Sequence, residues 1–420
     1  MPRPLPSAAS RASDARAVVV DGGGLSALLA VHAVRKAERA VCWRLASGGG
    51  RAQSPLLGGV PVNLGPRAVV RGGAFCDALA GAGVDVDAHG FVPAAGGVVV
   101  DGDDVWPLPT SPAGLWRSPL VPTFSAKREL AALLARIAVG ALDVDDHNGD
   151  GGDGEDIARY LDRHTSHPAA RRVVEMLLRV ASYCPVGVDR AFDVDCDARR
   201  LLLQMRRALM RGVVYVDGGW ASLLAQLHDA IARDPGVRVI DASDVDVSDV
   251  DEAHERILCG APGAIAARGI AVPNTTPVLA SCLDLVVDGA AGLPRPGRRF
   301  ALGLTAPLYF SVHSRPDGAG PVVVHVVDYA GRGDRAVVDA FADVVQPGLR
   351  GRLLAERFLP SMPVMHDRPR APRAAAPAVV DGTAIVGDWV GAGALLVDAV
   401  AAAAAHAAAT VVATDGRAAA

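Results

Sequence analysis

The stretch VVVDGGGLSALLAVH, from Val18 to His32, sets the first constraint on what this chain can fold into. Three β-branched residues read as a strand, three glycines as a tight turn, and the apolar run after them as a helix. A second strand, AVCWRL, follows at residues 40–45, which makes a βαβ unit of residues 17–46. Gly22, Gly24 and Ala27 fit the pattern G-x-G-x-x-G/A directly between strand and helix. The first glycine permits the turn, the second clears space for a diphosphate, and the small third residue lets the helix pack on the strand. The first helical residues, Leu25 and Ser26, would present free N–H groups and the positive end of the helix dipole to an anion. In that setting the turn reads as a dinucleotide-diphosphate site.

One expected element is missing. Strands of this kind end in an acid that binds the ribose hydroxyls, and here Leu45 stands at that position. Arg44 cannot replace the acid, because a guanidinium accepts no hydrogen bond. A second glycine turn follows at SGGGRAQS, where Gly49, Gly50, Arg51 and Ala52 would bring amides and one cation to the same diphosphate.

These two motifs, in this order and spacing, resemble the FAD-dependent amine oxidase, phytoene desaturase and protoporphyrinogen oxidase superfamily. Its members pair VVVxGGGxxGLxAA with a downstream GGRxxS. Three further stretches extend the likeness: VDGGWASLLAQL (216–227), GVRVIDASDVDVSDVD (236–251) and AIVGDWVGAGALLVDAV (384–400). The resemblance implies non-covalent or covalent FAD as cofactor. It places Gly65 and Pro66 near the flavin, Val245 at the adenine, and Gly387, Asp388, Gly391 and Leu395 along the ribityl chain and the flavin edge. It also implies an α/β fold, with a discontinuous Rossmann-like FAD-binding domain and a mixed α+β substrate domain. The FAD-binding parts are expected at 17–110, 205–285 and 375–420, and the substrate domain at 111–204 and 286–374. Residues 1–16 are expected to be a disordered leader.

Many amine oxidases of the superfamily hold a lysine near flavin N5. Lys36 and Lys127 are the only lysines here, and neither suits that place by topology. The implied activity is therefore dehydrogenation of a hydrophobic small molecule by hydride transfer to N5, with oxygen, a quinone or another acceptor taking the electrons. Amine oxidation is the alternative within the family, and a non-catalytic binding or scaffold module the alternative outside enzymes. An NAD(P)-dependent dehydrogenase is disfavoured by the late Gly-Asp-Trp turn. No catalytic group is evident, and Tyr309 and His313, on one face of the strand LYFSVHS with Ser311, are weak candidates.

Composition narrows the partners. The net charge of −4 and the lack of a basic patch with interleaved aromatics exclude a nucleic-acid binder. The six cysteines have no CxxC spacing, so no metal is expected and a reducing, cytoplasmic setting fits. An apolar substrate would favour peripheral contact with a membrane surface, yet no anchor is evident. The apolar run near residue 400 is alanine-rich and interrupted by Asp398 and His406, and reads as a buried helix.

Overall fold

In a computed structural model of the chain, the described residues are 17–46, 50–93, 96–142, 154–241, 255–289, 291–318, 320–370, 379–380, 382–391 and 393–418. The expected leader, Gly49 and Val245 lie outside them.

The expected βαβ unit opens the fold: β1 (Val18–Asp21), α1 (Leu25–Lys36) and β2 (Val41–Leu45). The short helix α2 (Ala74–Gly81) follows, then a hairpin of β3 (Val98–Asp101) and β4 (Asp104–Pro107) that turns at Gly102 and Asp103. Among the described residues, four helices of eight residues or more come next: α3 (Phe124–Val139), α4 (Ile157–His164), α5 (Pro168–Ser182) and α6 (Ala198–Arg211). Strand β5 (Val213–Val216), α7 (Trp220–Ala232), β6 (Val237–Asp241) and β7 (Arg256–Cys259) return the chain to the first unit. The second unit then gains β8 (Val278–Val287), β9 (Phe300–Gly303), β10 (Leu308–Val312), β11 (Val322–Asp328), α8 (Arg335–Val345) and β12 (Leu353–Met365). The last elements are β13 (Val379–Val380), β14 (Thr383–Val386) and α9 (Leu396–Ala418).

The first sheet has the order β6-β2-β1-β7-β14-β13, parallel from β6 to β14 and antiparallel only at its last pair. Its central strands are mostly apolar because both faces are covered, whereas the edge strand β6, VRVID, is largely exposed. Val18 and Val20 are completely buried, and so are Leu28 to Val31 of α1 or very nearly so. α9 packs against α1 and α2, with Ala403, Ala404, Ala407 and Ala408 buried in the same core. Although its segment Leu396–Ala413 is apolar and long enough to cross a membrane, half of that segment is buried within the fold.

The second sheet has the order β12-β8-β11-β10-β9-β3-β4 and is antiparallel except between β9 and β3. The α/β class and the interrupted first unit follow the sequence reading, but two boundaries move. The β3–β4 hairpin and all of β8 pair into the second sheet, so 98–107 and 278–285 leave the unit to which the sequence assigned them. Residues 353–359, whose sequence LLAERFL suits a helix equally well, begin the 13-residue strand β12. Burial alternates over residues 353–357, because successive side chains of β12 point to the packed and the solvated face of the sheet.

Candidate functional site

In an open parallel sheet, ligands bind beyond the carboxyl ends of the strands. Here the residues just past β1, β2, β7 and β14, namely Gly22, Ala46, Gly260 and Gly387, all line one cavity of about 410 Å³. Gly23, Gly24, Leu25 and Ser26 line it from the first turn, Gly50, Arg51 and Ala52 from the second, and Asp388 and Leu395 from the last. Two turns more than 360 residues apart in sequence thus share one space.

The glycines are there for steric reasons. Gly22 has φ of +151°, and a Cβ on it would lie 2.9 Å from the Cys259 carbonyl oxygen and 3.3 Å from the Ala27 methyl. Ala27 is fully buried under the turn, which is the packing role its position suggests. A Cβ on Gly387 would come within 2.5 Å of the Trp389 indole nitrogen and 2.8 Å of the Gly260 carbonyl. That indole donates to the same Gly260 oxygen at 2.9 Å, and the Trp43 indole donates to the Gly22 carbonyl at 2.9 Å. Two buried tryptophans therefore fix the two turns from below.

Two helix N-termini differ in a telling way. At α7, Asn63 Oδ1 accepts from the Trp220 amide at 2.8 Å and Ser54 Oγ from the Ala221 amide at 3.1 Å. At α1, the N-cap is Gly24 and no side chain caps the helix. Its amides are left for a ligand, and the cavity lies in front of them.

Arg51 and Asp388 meet directly. Arg51 Nη2 donates to Asp388 Oδ2 at 2.7 Å, and Arg51 Nη1 to the Val364 carbonyl at 2.5 Å. His366 donates to the same carboxylate through its amide at 3.1 Å and through Nδ1 at 2.6 Å. Burial alone would raise the Asp388 pKa. The hydrogen bond from His366 and the charge of Arg51 outweigh it and hold the group down to about 2. One carboxylate thus closes the cavity floor while remaining ionised.

At the expected ribose end, Leu45 packs on the core of the first unit, and it is Ala46 that lines the cavity. The acid of this region is Asp21, at the end of β1. It is buried, accepts from Arg44 Nη1 at 3.1 Å and is paired with Arg268, which lines the cavity.

Several site residues were not singled out in the sequence. Arg67, Tyr183 and Asp398 line the cavity. Arg67 directly follows Gly65-Pro66, which was the one available hint. Asp398, in the first turn of α9, accepts from the Phe75 amide of α2 at 2.9 Å and from Arg207 of α6 at 2.5 Å. Tyr183 ends α5 in the left-handed region, with φ of +61°, and donates to the Pro66 carbonyl at 3.0 Å. Pro66 lines the cavity, and Gly65 lies behind it, where a Cβ would strike the Met362 side chain. Gly391, with φ of +84°, turns the chain and does not line the cavity.

The two weak catalytic candidates lie elsewhere. Tyr309 is buried in the second unit with its hydroxyl 2.9 Å from that of Tyr215. His313 stacks on the Tyr215 ring, centroids 3.8 Å apart, and bonds Ser311 Oγ at 3.0 Å, so the shared strand face is real. Burial, reinforced by the neighbouring His325, pushes the His313 pKa well below its ordinary value, and the ring is neutral at pH 7. Neither residue lines the cavity, and neither lysine does.

No family model and no curated protein matches the sequence. Solved structures match it along most of its length. An oxidoreductase from Methanosarcina mazei is similar at 13% identity and a TM-score of 0.65, over 92% of this chain and 98% of its own. Putrescine oxidase bound to putrescine is similar at 15% identity and 0.63, over 95% and 99%. A Rab GDI from Plasmodium falciparum is similar at 9% and 0.54, over 90% and 94%. At such identities the likeness is one of fold: a discontinuous Rossmann-like unit joined to a mixed α+β unit, shared with oxidoreductases, amine oxidases among them.

Proposed function

We propose that the chain is an FAD-dependent oxidoreductase that dehydrogenates an apolar small molecule. The observation that carries this reading is the convergence of Gly22–Ser26, Gly50–Ala52, Gly387–Asp388 and Leu395 on one cavity. The residues present fit the cofactor: an uncapped helix start, two turns with no room for a side chain, and a cation facing open space.

When bound, FAD supplies a two-electron acceptor at N5. The α1 amides would hold the diphosphate, Asp388 would accept from a ribityl hydroxyl with its remaining lone pair, and the start of α9 would face the pyrimidine edge. Trp220, Met362 and Val364 give the cavity apolar walls that exclude water around the reacting carbon. No described residue of the cavity wall is assigned as a base here, and orientation of the C–H bond is the protein's main contribution. The electrons would pass on to oxygen, a quinone or another acceptor.

The absence of lysine from the cavity supports the desaturase side of the resemblance over amine oxidation. A second reading, a binding or scaffold module, draws on the fold likeness to a Rab GDI and on the neutral Ala46 at the ribose end. The absorbance spectrum of the purified protein separates the two. Visible flavin bands in stoichiometric amount support the enzyme. A colourless protein that fails to quench the fluorescence of added FAD overturns it.

A further inference from the structure

A second cavity, of about 260 Å³, shares no lining residue with the first. A row of polar side chains leads to it across the second sheet. Arg357 of β12, Asp284 of β8, His325 of β11 and Ser311 of β10 stand directly opposite one another on neighbouring strands. Asp284 accepts from Arg357 at 2.6 and 3.0 Å, from His325 Nδ1 at 2.6 Å and from the Cys282 thiol at 3.2 Å. Burial alone would raise the Asp284 pKa, but His325 and Arg357 outweigh it and hold the carboxyl below its ordinary value. A carboxylate only accepts, so His325 Nδ1 is the donor in that pair. The other ring nitrogen, Nε2, is buried without a partner, and His325 lines the cavity.

The other polar groups of this wall leave donors over. Asn63 spends Oδ1 on the Trp220 amide and the Ser54 hydroxyl, both at 2.8 Å, and its Nδ2 donates to no described residue. Arg315 grips Asp217 through Nε and Nη2, and its Nη1 donates to no described residue. Asp217 is the one carboxylate among the described residues that line the cavity. His313 bonds Ser311 Oγ through Nε2, and burial keeps its ring neutral at pH 7. Arg357 and Asp284 cancel in charge, and so do Arg315 and Asp217. An imidazolium at His325 then has no counter-charge in the chain, and an anion in the cavity supplies it. A metal cation would instead meet Arg357 and Arg315 and no open carboxylate.

We propose that this second cavity binds a small oxyanion, a carboxylate or a phosphate, which His325 receives as an imidazolium. Nδ1 donates to Asp284 and Nε2 to the anion, with Asn63 and Arg315 as further donors. The proton on Nε2 comes from solvent and stays on the ring while the anion is bound. The site goes beyond the oxidoreductase reading and does not rest on it.

The test is calorimetric titration of full-length wild type and His325→Asn with sodium acetate and sodium phosphate. FAD is added so that the first cavity does not take the probe. Asparagine keeps a donor for Asp284 and has nothing at the Nε2 position. Wild type is expected to bind at least one of the two anions, and the tighter one names the source. That affinity should fall by about tenfold or more in His325→Asn. Acetate keeps a single charge between about pH 6 and pH 8, so its affinity for wild type should fall across that range as the imidazolium is lost. Neither anion saturating wild type, an affinity unchanged in His325→Asn, or zinc chloride binding where the anions do not, overturns the proposal. Melting curves without ligand verify folding. Should His325→Asn fail to fold, Arg315→Gln at the exposed rim takes its place. It releases the Asp217 carboxylate and should weaken the anion by about tenfold, and an unchanged affinity there is equally fatal. If wild type binds no FAD, the oxidoreductase reading fails alone, and the loss in His325→Asn still decides whether the anion sits in the second cavity.

Discussion

Two buried polar regions lie side by side in this molecule and have opposite character. In the second sheet, Asp284 takes two bonds from Arg357, one from His325 and one from the Cys282 thiol at 3.2 Å. Its charge is answered within the chain, and the one polar atom of the group left open is His325 Nε2, beside the second cavity of about 260 Å³. Around the cavity, Arg67 stands unanswered and the α1 amides are uncapped. A closed network of this kind specifies a fold, whereas an open one that faces a void specifies a ligand. Polar burial by itself therefore says little about function, and what matters is whether the partners are already present.

The largest break in this comparison is Asp284→Leu. It leaves Arg357 and His325 buried beside an apolar side chain, and should cost about 3–5 kcal/mol in chemical denaturation. Removing the open cation at Arg67 should cost far less, and a similar loss at both positions would erase the distinction. Gly387→Ala comes next, because its methyl collides with backbone at Gly260 and with a fixed indole. A loss of about 1–3 kcal/mol is expected, together with lost quenching of FAD fluorescence. A protein that keeps both would mean that the late turn does not touch the cofactor.

Asp388→Asn follows. The folded pKa of about 2 lies below the unfolded value of about 3.9, so the ionised group stabilises the fold above about pH 4 and that stability is lost as pH falls towards 2. The variant should lose the acid slope in that window, read as melting temperature against pH, and should bind FAD about tenfold more weakly. The smallest effect is a gain. Ala46→Glu places an acid at the cavity wall and should tighten FAD binding by about threefold to tenfold. Leu45→Glu, one residue earlier, puts the charge into the core and should destabilise without tightening. If the two behave in the opposite way, the end of β2 is turned over.

The sequence showed those parts of the fold whose causes are local. A strand, three glycines and a helix are neighbours in the chain, and the late Gly-Asp-Trp turn has the same logic, so both ends of the cavity were legible. Arg67 was not, because its meaning depends on Trp220 and on three carboxylates being occupied elsewhere. Tyr309 and His313 were correctly placed on one strand face, yet that face meets Tyr215, and His313 borders the second, smaller cavity away from the glycine turns. Residues 353–359, LLAERFL, suit an amphipathic helix about as well as a strand. Pairing with β8, which runs the length of β12, decides the matter, and no local pattern reports it.

Asp398 has a consequence for how a ligand would arrive. By holding the Phe75 amide and Arg207 at once, it rivets the first turn of α9 to helices from both halves of the protein. The seat at that end is rigid before anything occupies it. Little ordering entropy remains to be lost on association, so ligands that differ in fit should separate in their residence times while their rates of arrival stay alike.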